Sequence, residues 1–365
     1  MKIMEISSAA LPSPPSDYGG LELIVAGIAI NAAQKGHDVT LVSAQGSALA
    51  GQDWYFKEGG KLRVVETVNP NWATEQTHYE AYRKILEDEF SDGKSVVHDH
   101  TWSQFVYKSA AKFQKMNVVH THHGNANWHS APPNVWFPRY MGVSRPHAFE
   151  LEKAIGVPFR YVWNGINMPA KSEMSTKDDG YLLSINRISR FKGIHIAMDI
   201  CTENRVPLVI VGDDTKVEDQ QYAFRCIERA RRSGGLIKYY GLVDNYTKIE
   251  LIKGCKGLLA CPIERGPNNE FYIEAFGLNA VEANAYGKPA LCLANGGHKD
   301  VVQHGYNGYL ADDPRQLAFY FDKIGDIKPE NCRQRVEENF STDKMTNSYL
   351  SIFEKIIADD TSFKW

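Results

Sequence analysis

The sequence predicts an α/β protein built from two doubly wound, Rossmann-like domains, and two observations lead to this prediction. Strand-like apolar runs alternate with helix-like segments along the whole chain, and such alternation produces parallel sheets covered by helices on both faces. The length of 365 residues also exceeds what one typical hydrophobic core accommodates. We therefore expect two domains whose strand ends face a common cleft.

The first half of the chain begins with a buried strand at Lys2–Ser7, which Glu5 interrupts. A proline-rich loop then leads to Gly19-Gly20 and to a helix over Leu21–Lys35 that Gly36 closes. The pattern then predicts strands at Val39–Ser43, Leu62–Val65, Val96–His98, Val118–Thr121 and Tyr140–Val143, and helices at Glu75–Phe90, Ser103–Phe113 and Pro146–Ala154.

The second half repeats the alternation after a polar segment, Asn164–Asp179, in which we place the hinge. We expect domains at 1–165 and 166–340, and a C-terminal helix within 341–365 that packs back on the first domain. The predicted strands are Tyr181–Ile185, Leu208–Val211, Ile237–Tyr240, Gly257–Cys261 and Ala290–Leu293, and the predicted helices are Ile194–Thr202, Glu218–Arg232, Thr247–Lys253, Leu278–Tyr286 and Lys344–Ala358.

Composition excludes several classes of function. The net charge of −3 provides no basic field for nucleic acid. No apolar run approaches the roughly 18–20 residues that cross a bilayer, and the N-terminal run lacks the features of a signal peptide. The six cysteines lie in the second half without a Cys-x-x-Cys pair, which favours reduced thiols and a cytoplasmic protein over a disulfide framework or a zinc site.

The most informative segment is Glu274-Ala-Phe-Gly-Leu-Asn-Ala-Val-Glu282. It sets two carboxylates around a predicted loop-to-helix junction, where free backbone N–H groups attract phosphate. An ionised carboxylate accepts a pair of hydrogen bonds and so suits vicinal hydroxyls. Phosphate flanked by polyols describes a nucleotide sugar. The alternative is an ordinary amphipathic helix with Glu282 in solvent.

Three further loops supply groups for the same ligand. Arg187 and Lys192 follow a predicted strand, where a guanidinium fork and an ammonium point charge suit a departing diphosphate. Gly19-Gly20 and Gly296-Gly297 permit close approach of backbone amides to phosphate or hydroxyls. A simple turn at Gly19-Gly20 is an equal alternative, and no Gly-x-Gly-x-x-Gly dinucleotide fingerprint is present.

Histidines cluster after two strands of the first half, in His98-Asp99-His100 and in His120-Thr-His122-His123. No helical pair of ligands and no nearby cysteine accompanies them, so the pattern disfavours metal. It favours hydrogen bonds to a polar substrate, with a core or surface role for any one ring equally open.

In their order and spacing these pieces resemble the retaining glycosyltransferases of family 4, which have the GT-B fold. The resemblance spans nearly the whole chain, through Tyr18-Gly19-Gly20, Asn164-Gly165-Ile166, Arg187 to Gly193, Gly212-Asp213 and the Glu274 to Glu282 element. It implies a hexosyltransferase (EC 2.4 type) that needs no metal or cofactor. Such an enzyme moves a sugar from a UDP- or GDP-sugar to a sugar, lipid-linked or small-molecule hydroxyl with retention.

The resemblance also implies residue roles. The first domain would bind the acceptor and the second the nucleotide sugar. Catalysis would involve His123, Glu274, Arg187 and Lys192. Glu282 would hold the ribose and Glu274 the transferred sugar. The other donor contacts would be Gly19, Gly20, Gly212, Phe276, Gly277 and Leu278, and the acceptor contacts would be His98, His122, His123 and Trp128.

Two rivals remain at the level of sequence. A nucleotide-sugar 2-epimerase would share the fold and the diphosphate site but would act on donor alone. A sugar-binding or scaffold protein would keep the fold without turnover, which the intact Glu274, Arg187, Lys192 and Glu282 argue against. Peripheral membrane contact is left open.

Overall fold

The structure is a computed structural model that describes residues 1–16, 19–125, 139–266 and 269–359. The chain divides into two compact units. Unit 1 comprises residues 1–167 together with the C-terminal residues from 341 onward, and unit 2 comprises residues 168–340. Within the described residues, no helix is long and apolar enough to cross a membrane.

Unit 1 is built on a sheet that has eight strands among its described residues. Its strand order is β3-β4-β2-β1-β5-β6-β7-β8, and every pairing is parallel except that of β3 with β4. The strands are β1 (Lys2–Ile6), β2 (Asp38–Ser43), β3 (Trp54–Tyr55), β4 (Lys61–Glu66), β5 (Ser95–Asp99), β6 (Asn117–Thr121), β7 (Tyr140–Gly142) and β8 (Phe159–Tyr161).

The helices of unit 1 come from both ends of the chain. The last helix, α12, buries Tyr349 and Phe353 and packs against α1. Ser341 starts α12 because its side chain accepts a hydrogen bond from the Lys344 N–H. The helices are α1 (Gly20–Gln34), α2 (Glu75–Glu89), α3 (Val106–Lys112), α4 (Arg145–Ile155) and α12 (Thr342–Ile357).

Unit 2 contains a parallel sheet with six strands among its described residues, in the order β11-β10-β9-β12-β13-β14. Its strands are β9 (Leu182–Ile185), β10 (Leu208–Val211), β11 (Ile237–Tyr239), β12 (Gly257–Ala260), β13 (Ala290–Leu293) and β14 (Gly308–Ala311). Its helices are α5 (Ile194–Glu203), α6 (Gln220–Arg231), α7 (Asn245–Gly254), α8 (Leu278–Ala285), α9 (His298–Val301), α10 (Pro314–Phe319) and α11 (Pro329–Asn339).

In both sheets the strand order reverses near the middle, and the candidate residues lie in loops next to these points. In unit 1 the strand order reverses between β1 and β5, and in unit 2 between β9 and β12. Ligands of doubly wound sheets bind beyond the carboxyl ends of the strands at such points. The histidine segments follow β5 and β6, while Arg187 and Lys192 follow β9.

The predicted α/β class and parallel sheets are confirmed, and most of the differences lie in short elements, with the 11-residue helix α11 as the exception. The sequence analysis missed β3, β8 and β14, which are edge strands of two to four residues. It also missed the helices α9, α10 and α11 and extended α3 toward its N-terminus. Short edge elements bury little apolar surface, so they leave only a weak periodic pattern in the sequence.

Candidate functional site

The Glu274 segment of unit 2 is a loop held against the glycine pair that follows β13. The Gly297 N–H donates to the Glu274 carbonyl at 2.7 Å, and the Glu274 N–H donates to Oδ1 of Asn295 at 3.0 Å. A Cβ at Gly296 would collide with the Glu274 carbonyl, and Gly296 has a φ of 52°. Glycine is therefore required at this position because the two loops meet backbone to backbone.

A short ion pair joins the two central residues of the prediction. Lys192 Nζ lies 2.6 Å from Oε2 of Glu274, with side chains only 17% and 12% exposed. Burial alone would raise the pKa of Glu274, but Lys192, His298 and Arg187 together outweigh it and lower that pKa. For Lys192, burial opposes the charge, but Glu274 and Tyr272 raise its pKa overall. Both groups are therefore charged at neutral pH.

The loop after β9 brings further positive charge to this region. A left-handed Gly193 ends the short 3-10 turn Arg190–Lys192 and precedes α5. A Cβ at Gly193 would collide with the Cys261 carbonyl, so the turn packs directly on the loop after β12. Arg187 is 27% exposed and has a loose contact of 3.5 Å with Glu218. Its guanidinium is thus accessible to an anion.

Gly212, the remaining predicted donor contact in the βα loops of unit 2, follows β10. A Cβ there would collide with the Asn186 carbonyl. The loops after β9 and β10 are therefore in backbone contact, which requires glycine at this position.

The helix α8 begins in the way that the sequence predicts. Gly277 adopts a left-handed conformation at its N-cap, with a φ of 97°, and the first amides of a helix have no partner inside it. Phe276 is buried against Phe340, with ring centroids 5.6 Å apart, and anchors the loop before the helix. The amides around Gly277 and Leu278 are therefore set on a rigid support.

Glu282 lies inside α8 and carries a lysine of its own. Lys248 Nζ, from α7, lies 3.1 and 3.2 Å from its two carboxylate oxygens. The Glu282 side chain is 23% exposed, more than that of Glu274. The amphipathic alternative, with Glu282 simply in solvent, does not describe this partly buried pair.

The glycine pair Gly19 and Gly20 lies in unit 1, at the start of α1. A Cβ at Gly19 would lie 2.8 Å from Oε2 of Glu22, a buried carboxylate of the first turn. Glu22 accepts a hydrogen bond from Ser8 Oγ at 2.6 Å, and burial raises its pKa. Tyr18, which precedes the pair, lies outside the described residues.

The predicted acceptor role of His98 is corrected by its position. His98 is 0% exposed. Its Nδ1 lies 2.9 Å from Oε2 of Glu5, and its Nε2 lies 2.8 Å from Thr121 Oγ1. Both ring nitrogens are engaged inside unit 1, so the ring does not offer an atom to an acceptor. The alternating direction of side chains in β5 turns His98 toward the interior.

His122 requires the same correction. Its ring is buried, with centroids 5.2 Å from those of Tyr140 and Phe159. His123, the next residue, is half-buried, and its Nε2 lies 2.8 Å from His100 Nδ1. Trp128 lies outside the described residues. Of the predicted acceptor residues that the structure describes, His123 is therefore the one that is not fully buried.

Several residues of these sites were not predicted. Asn295 holds the Glu274 amide, and Tyr272 stacks on Phe191 with centroids 4.9 Å apart, beside Lys192. His298 lies beneath Gly277, where an added Cβ would be 2.5 Å from its Cδ2. Glu5, the partner of His98, was not predicted either, although the sequence marks it as a charged residue within an apolar strand.

Two family models match the chain along most of its length. The model described as "Glycosyltransferase Family 4" matches residues 18–168, and the model described as "Glycosyl transferases group 1" matches residues 169–340.

Curated relatives are distant. The chain is 22% identical to O-antigen chain mannosyltransferase C of Escherichia coli over 234 residues, which are 60% of this chain and 59% of that protein. It is 23% identical to spore coat protein SA of Bacillus subtilis (strain 168), covering 97% of this chain and 100% of that protein.

Solved structures share the fold over almost the whole chain. Sucrose-phosphate synthase from Thermosynechococcus elongatus superposes with a TM-score of 0.73 at 17% identity, covering 99% of this chain and 100% of that one. AviGT4, a glycosyltransferase involved in avilamycin A biosynthesis, has a TM-score of 0.69 at 18% identity, with 98% of each chain covered. The chain belongs to the family 4, group 1 glycosyltransferases and has the GT-B fold.

Proposed function

We propose that this protein is a retaining hexosyltransferase that moves a sugar from a nucleoside diphosphate to an acceptor hydroxyl. The observation that supports this most is the pair of lysine–carboxylate contacts on either side of the α8 N-terminus. Lys192–Glu274 precedes the helix and Lys248–Glu282 lies within it. A polyol, a phosphate and a second polyol would find complementary groups along this segment in that order.

In this proposal the diphosphate binds to fixed positive charge. Arg187 grips two phosphate oxygens as a fork and Lys192 contacts the same group as a point charge. Amides around Phe276, Gly277 and Leu278 add donors at the start of α8. These groups are worth most when the diphosphate departs, because negative charge then grows on its oxygens. Protein cations would thus do the work that a metal ion does in other transferases.

Each of the two carboxylates would then bind a different polyol of the donor. Glu282 accepts hydrogen bonds from the ribose hydroxyls, and Lys248 holds its oxygens in place. Glu274 accepts from hydroxyls of the transferred sugar, with its backbone fixed by Asn295 and Gly297. The close-packed Gly212 and the unit 1 glycines Gly19 and Gly20 would provide further backbone contacts to the donor.

For the chemical step we propose front-face departure of the diphosphate. The acceptor hydroxyl attacks the anomeric carbon from the side that the diphosphate leaves, and a phosphate oxygen receives the hydroxyl proton. His123 would hydrogen-bond on the acceptor side. Glu274 is already engaged as the counter-ion of Lys192, which supports a binding role over that of a covalent nucleophile.

A UDP-sugar is the first donor to test. The structure of HepE from Anabaena in complex with UDP-glucose has a TM-score of 0.65 with this chain at 16% identity, covering 100% of both chains. At this identity the likeness concerns the fold, so UDP and glucose are a starting point for a panel that includes GDP-sugars.

The decisive experiment has two stages. Thermal shifts against a panel of nucleoside diphosphates identify the base, because a bound product stabilises the folded state by mass action. NMR then follows UDP- and GDP-sugars with and without candidate acceptors. We expect a new glycosidic product that keeps the anomeric configuration of the donor.

Two outcomes of that experiment would contradict the proposal. An epimerised donor that forms without acceptor would indicate a 2-epimerase, and a glycosylated Glu274 trapped for mass spectrometry would exclude front-face transfer. Lys192→Ala should slow transfer about 100- to 1,000-fold, as loss of one transition-state donor does elsewhere. Unchanged transfer in that variant would remove the diphosphate assignment.

A further inference from the structure

A continuous chain of polar side chains runs through the interior of unit 1. It leads from Tyr349 of α12 through Thr121, His98 and Glu5 to His100, and ends at the half-buried His123. Every member except His123 is buried. None of the donor-site contacts in unit 2 involves it. A buried carboxylate is costly unless hydrogen bonds or opposite charge compensate it, and here the rings of His98 and His100 contact its oxygen.

Strand register explains why these residues meet. Glu5 in β1 lies directly opposite His98 in β5. Side chains alternate along a strand, so His98 and His100 point to the same face, while Asp99 points to the other. There Asp99 contacts His120 at 2.9 Å. The helix α12 covers the first face, with the rings of Tyr349 and Phe353 at 4.6 and 5.3 Å from His98.

Burial raises the pKa of Glu5, and the hydrogen bond from His100 opposes that rise; around an ionised carboxylate the distances favour one arrangement of the protons. Oε2 of Glu5 is 2.9 Å from His98 Nδ1 and 3.2 Å from His100 Nε2. An ionised carboxylate can accept from both nitrogens, whereas a protonated oxygen could donate to one of them only. Burial lowers the pKa of both rings to about 3, so each ring is neutral and carries one proton. These protons are then on His98 Nδ1 and His100 Nε2.

The remaining contacts agree with this arrangement. His98 Nε2 accepts from the Thr121 hydroxyl at 2.8 Å, and Thr121 Oγ1 accepts from the Tyr349 hydroxyl at 3.2 Å. His100 Nδ1 is then an acceptor, and it can only receive the proton of His123 Nε2, 2.8 Å away. A neutral His123 with its proton on Nε2 has Nδ1 left as an acceptor. One further contact, 3.2 Å between His98 Nδ1 and His100 Nε2, brings together the two nitrogens that share Oε2 of Glu5.

A bound metal ion is the main alternative for Glu5, His98 and His100, whose ligand atoms lie within 4.8 Å of one another. Lone pairs of two histidines on one ion point along their ring axes, which would hold the ring centroids about 5 Å apart at usual metal–nitrogen distances. The centroids of His98 and His100 are 4.0 Å apart, with the rings inclined at 54°. Donors converging on a carboxylate describe this arrangement better.

We propose that Glu5 is a positioning residue that acts through His100 to hold His123 with its proton on Nε2, so that Nδ1 accepts a hydrogen bond from the sugar acceptor. No proton is transferred along the chain during the step; the carboxylate selects the tautomer beforehand. Its importance for turnover rests on the proposed transferase function, whereas the tautomer itself does not.

The test compares Glu5→Gln with the intact full-length protein. With its –NH2 at the position of Oε2, the glutamine donates to His100 Nε2, which reverses His100 and then His123; Glu5→Leu, which offers neither donor nor acceptor there, controls for the opposite amide orientation. Two-bond ¹H–¹⁵N NMR spectra of histidine-labelled protein distinguish the tautomers. We expect an Nε2-protonated His123 in the wild type and an Nδ1-protonated His123 in Glu5→Gln. Transfer should fall about tenfold or more in kcat, with the KM for the donor unchanged.

Two further variants keep the test informative. Tyr349→Phe removes the hydroxyl at the far end of this series of hydrogen-bonded side chains. It should leave the His123 tautomer and kcat unchanged. If Glu5→Gln does not fold, His100→Leu removes the acceptor of the His123 proton while Glu5 keeps His98, and it should also change the His123 tautomer and lower kcat.

Several results would overturn the proposal. These are an Nδ1-protonated His123 in the wild type, a tautomer that is the same in Glu5→Gln, a full kcat in that variant, or stoichiometric zinc that Glu5→Gln abolishes. Failure of the wild type to transfer sugar from any donor would instead refute the proposed function, and the NMR comparison would still decide whether Glu5 sets the tautomer.

Discussion

In both units, the charge state of a buried ionisable side chain depends on the groups that contact it. Lys192 and Glu274 share one short contact at low exposure, so neither can lose the other without leaving a charge in a poorly solvated place. His78, in α2 of unit 1, is buried as a neutral ring. Each case gives a measurable consequence.

For the Lys192–Glu274 pair we expect strong coupling. Lys192→Ala should lower the free energy of unfolding of unit 2 by about 3 kcal/mol, because it strands a buried carboxylate. Adding Glu274→Gln should recover much of that loss. Urea denaturation measures both, and Lys177→Ala, in an exposed pair with Asp179, serves as the control with no measurable change. A double variant no more stable than the single one would refute the coupling.

For His78 we expect a pH-dependent loss of stability. Burial lowers its pKa from 6.5 to about 4, so the unfolded chain takes up a proton before the folded protein does. Its contribution to stability is therefore lost as pH falls from about 6.5 toward 4.

The measurement compares the wild type with His78→Gln, in which the amide can still donate to the Ser7 carbonyl, 3.1 Å from His78 Nε2. Between pH 7 and 5 the wild type should lose about 2 kcal/mol more than the variant. Parallel denaturation curves over that range would contradict the assignment.

At the scale of elements, two packing arrangements support the sites. In unit 2, the turn after β13 is pressed backbone to backbone against the loop that carries Glu274. In unit 1, α12 covers the face of the sheet that holds Glu5 and the histidines. Both arrangements leave little space, so small changes in volume should have large effects.

The turn after β13 should not tolerate a methyl group. Gly296→Ala places a Cβ against the Glu274 carbonyl and forces a left-handed backbone on alanine. We expect a loss of about 3 kcal/mol and much weaker nucleotide binding. Gly325→Ala is the matched control, since a Cβ there meets nothing within 4 Å. Thermal denaturation and nucleotide titration measure the outcome, and equal behaviour of the two variants would disprove the close packing.

The helix α12 should be needed for the stability of unit 1. Phe353 is 0% exposed and lies against His98, so Phe353→Ala should cost about 3–5 kcal/mol. Phe149, 65% exposed in α4 of the same unit, provides a control of the same residue type that should change stability little. Chemical denaturation compares them; a small effect at Phe353 would show that α12 does not belong to the core of unit 1.

At the scale of the whole molecule, the chain forms two units with separate cores, and the last helix belongs to the unit formed by the N-terminal half. The proposed diphosphate, sugar and ribose contacts of the donor lie mainly in unit 2, and the histidine chain lies in unit 1. A nucleotide alone should therefore act on unit 2 first.

Hydrogen exchange with and without the nucleoside diphosphate of the donor tests this expectation. Saturating nucleotide should slow amide exchange in residues 187–193 and 274–282, where the proposed contacts lie, while β1 and β5 of unit 1 should exchange as before. At about 100 times Kd the nucleotide contributes about 2.7 kcal/mol to the folded state. Protection confined to unit 1 would contradict the assignment of the donor site.

The fold class, most of the longer elements and the loop-to-helix junction between Glu274 and Glu282 could be predicted from the sequence alone. Periodic burial and glycine at loop–helix junctions are local properties, so they can be read along the chain. The Lys192–Glu274 contact could not be predicted from the sequence, because 82 residues separate the pair. The two residues meet only because the loop after β9 packs on the loop after β12. Lys248, Asn295 and Tyr272 gave no local signal.

The difference between the buried and the half-buried histidines arises only from tertiary packing. In sequence, His98, His100, His122 and His123 look alike as strand-end rings. Strand register and the alternation of side chains bury His98 and His100 on the face that α12 covers, His122 is buried against Tyr140 and Phe159, and His123 is half-buried. The same register brings Glu5 beside His98. These contacts join residues from four separate segments of the chain, so they exist only once the sheet has formed.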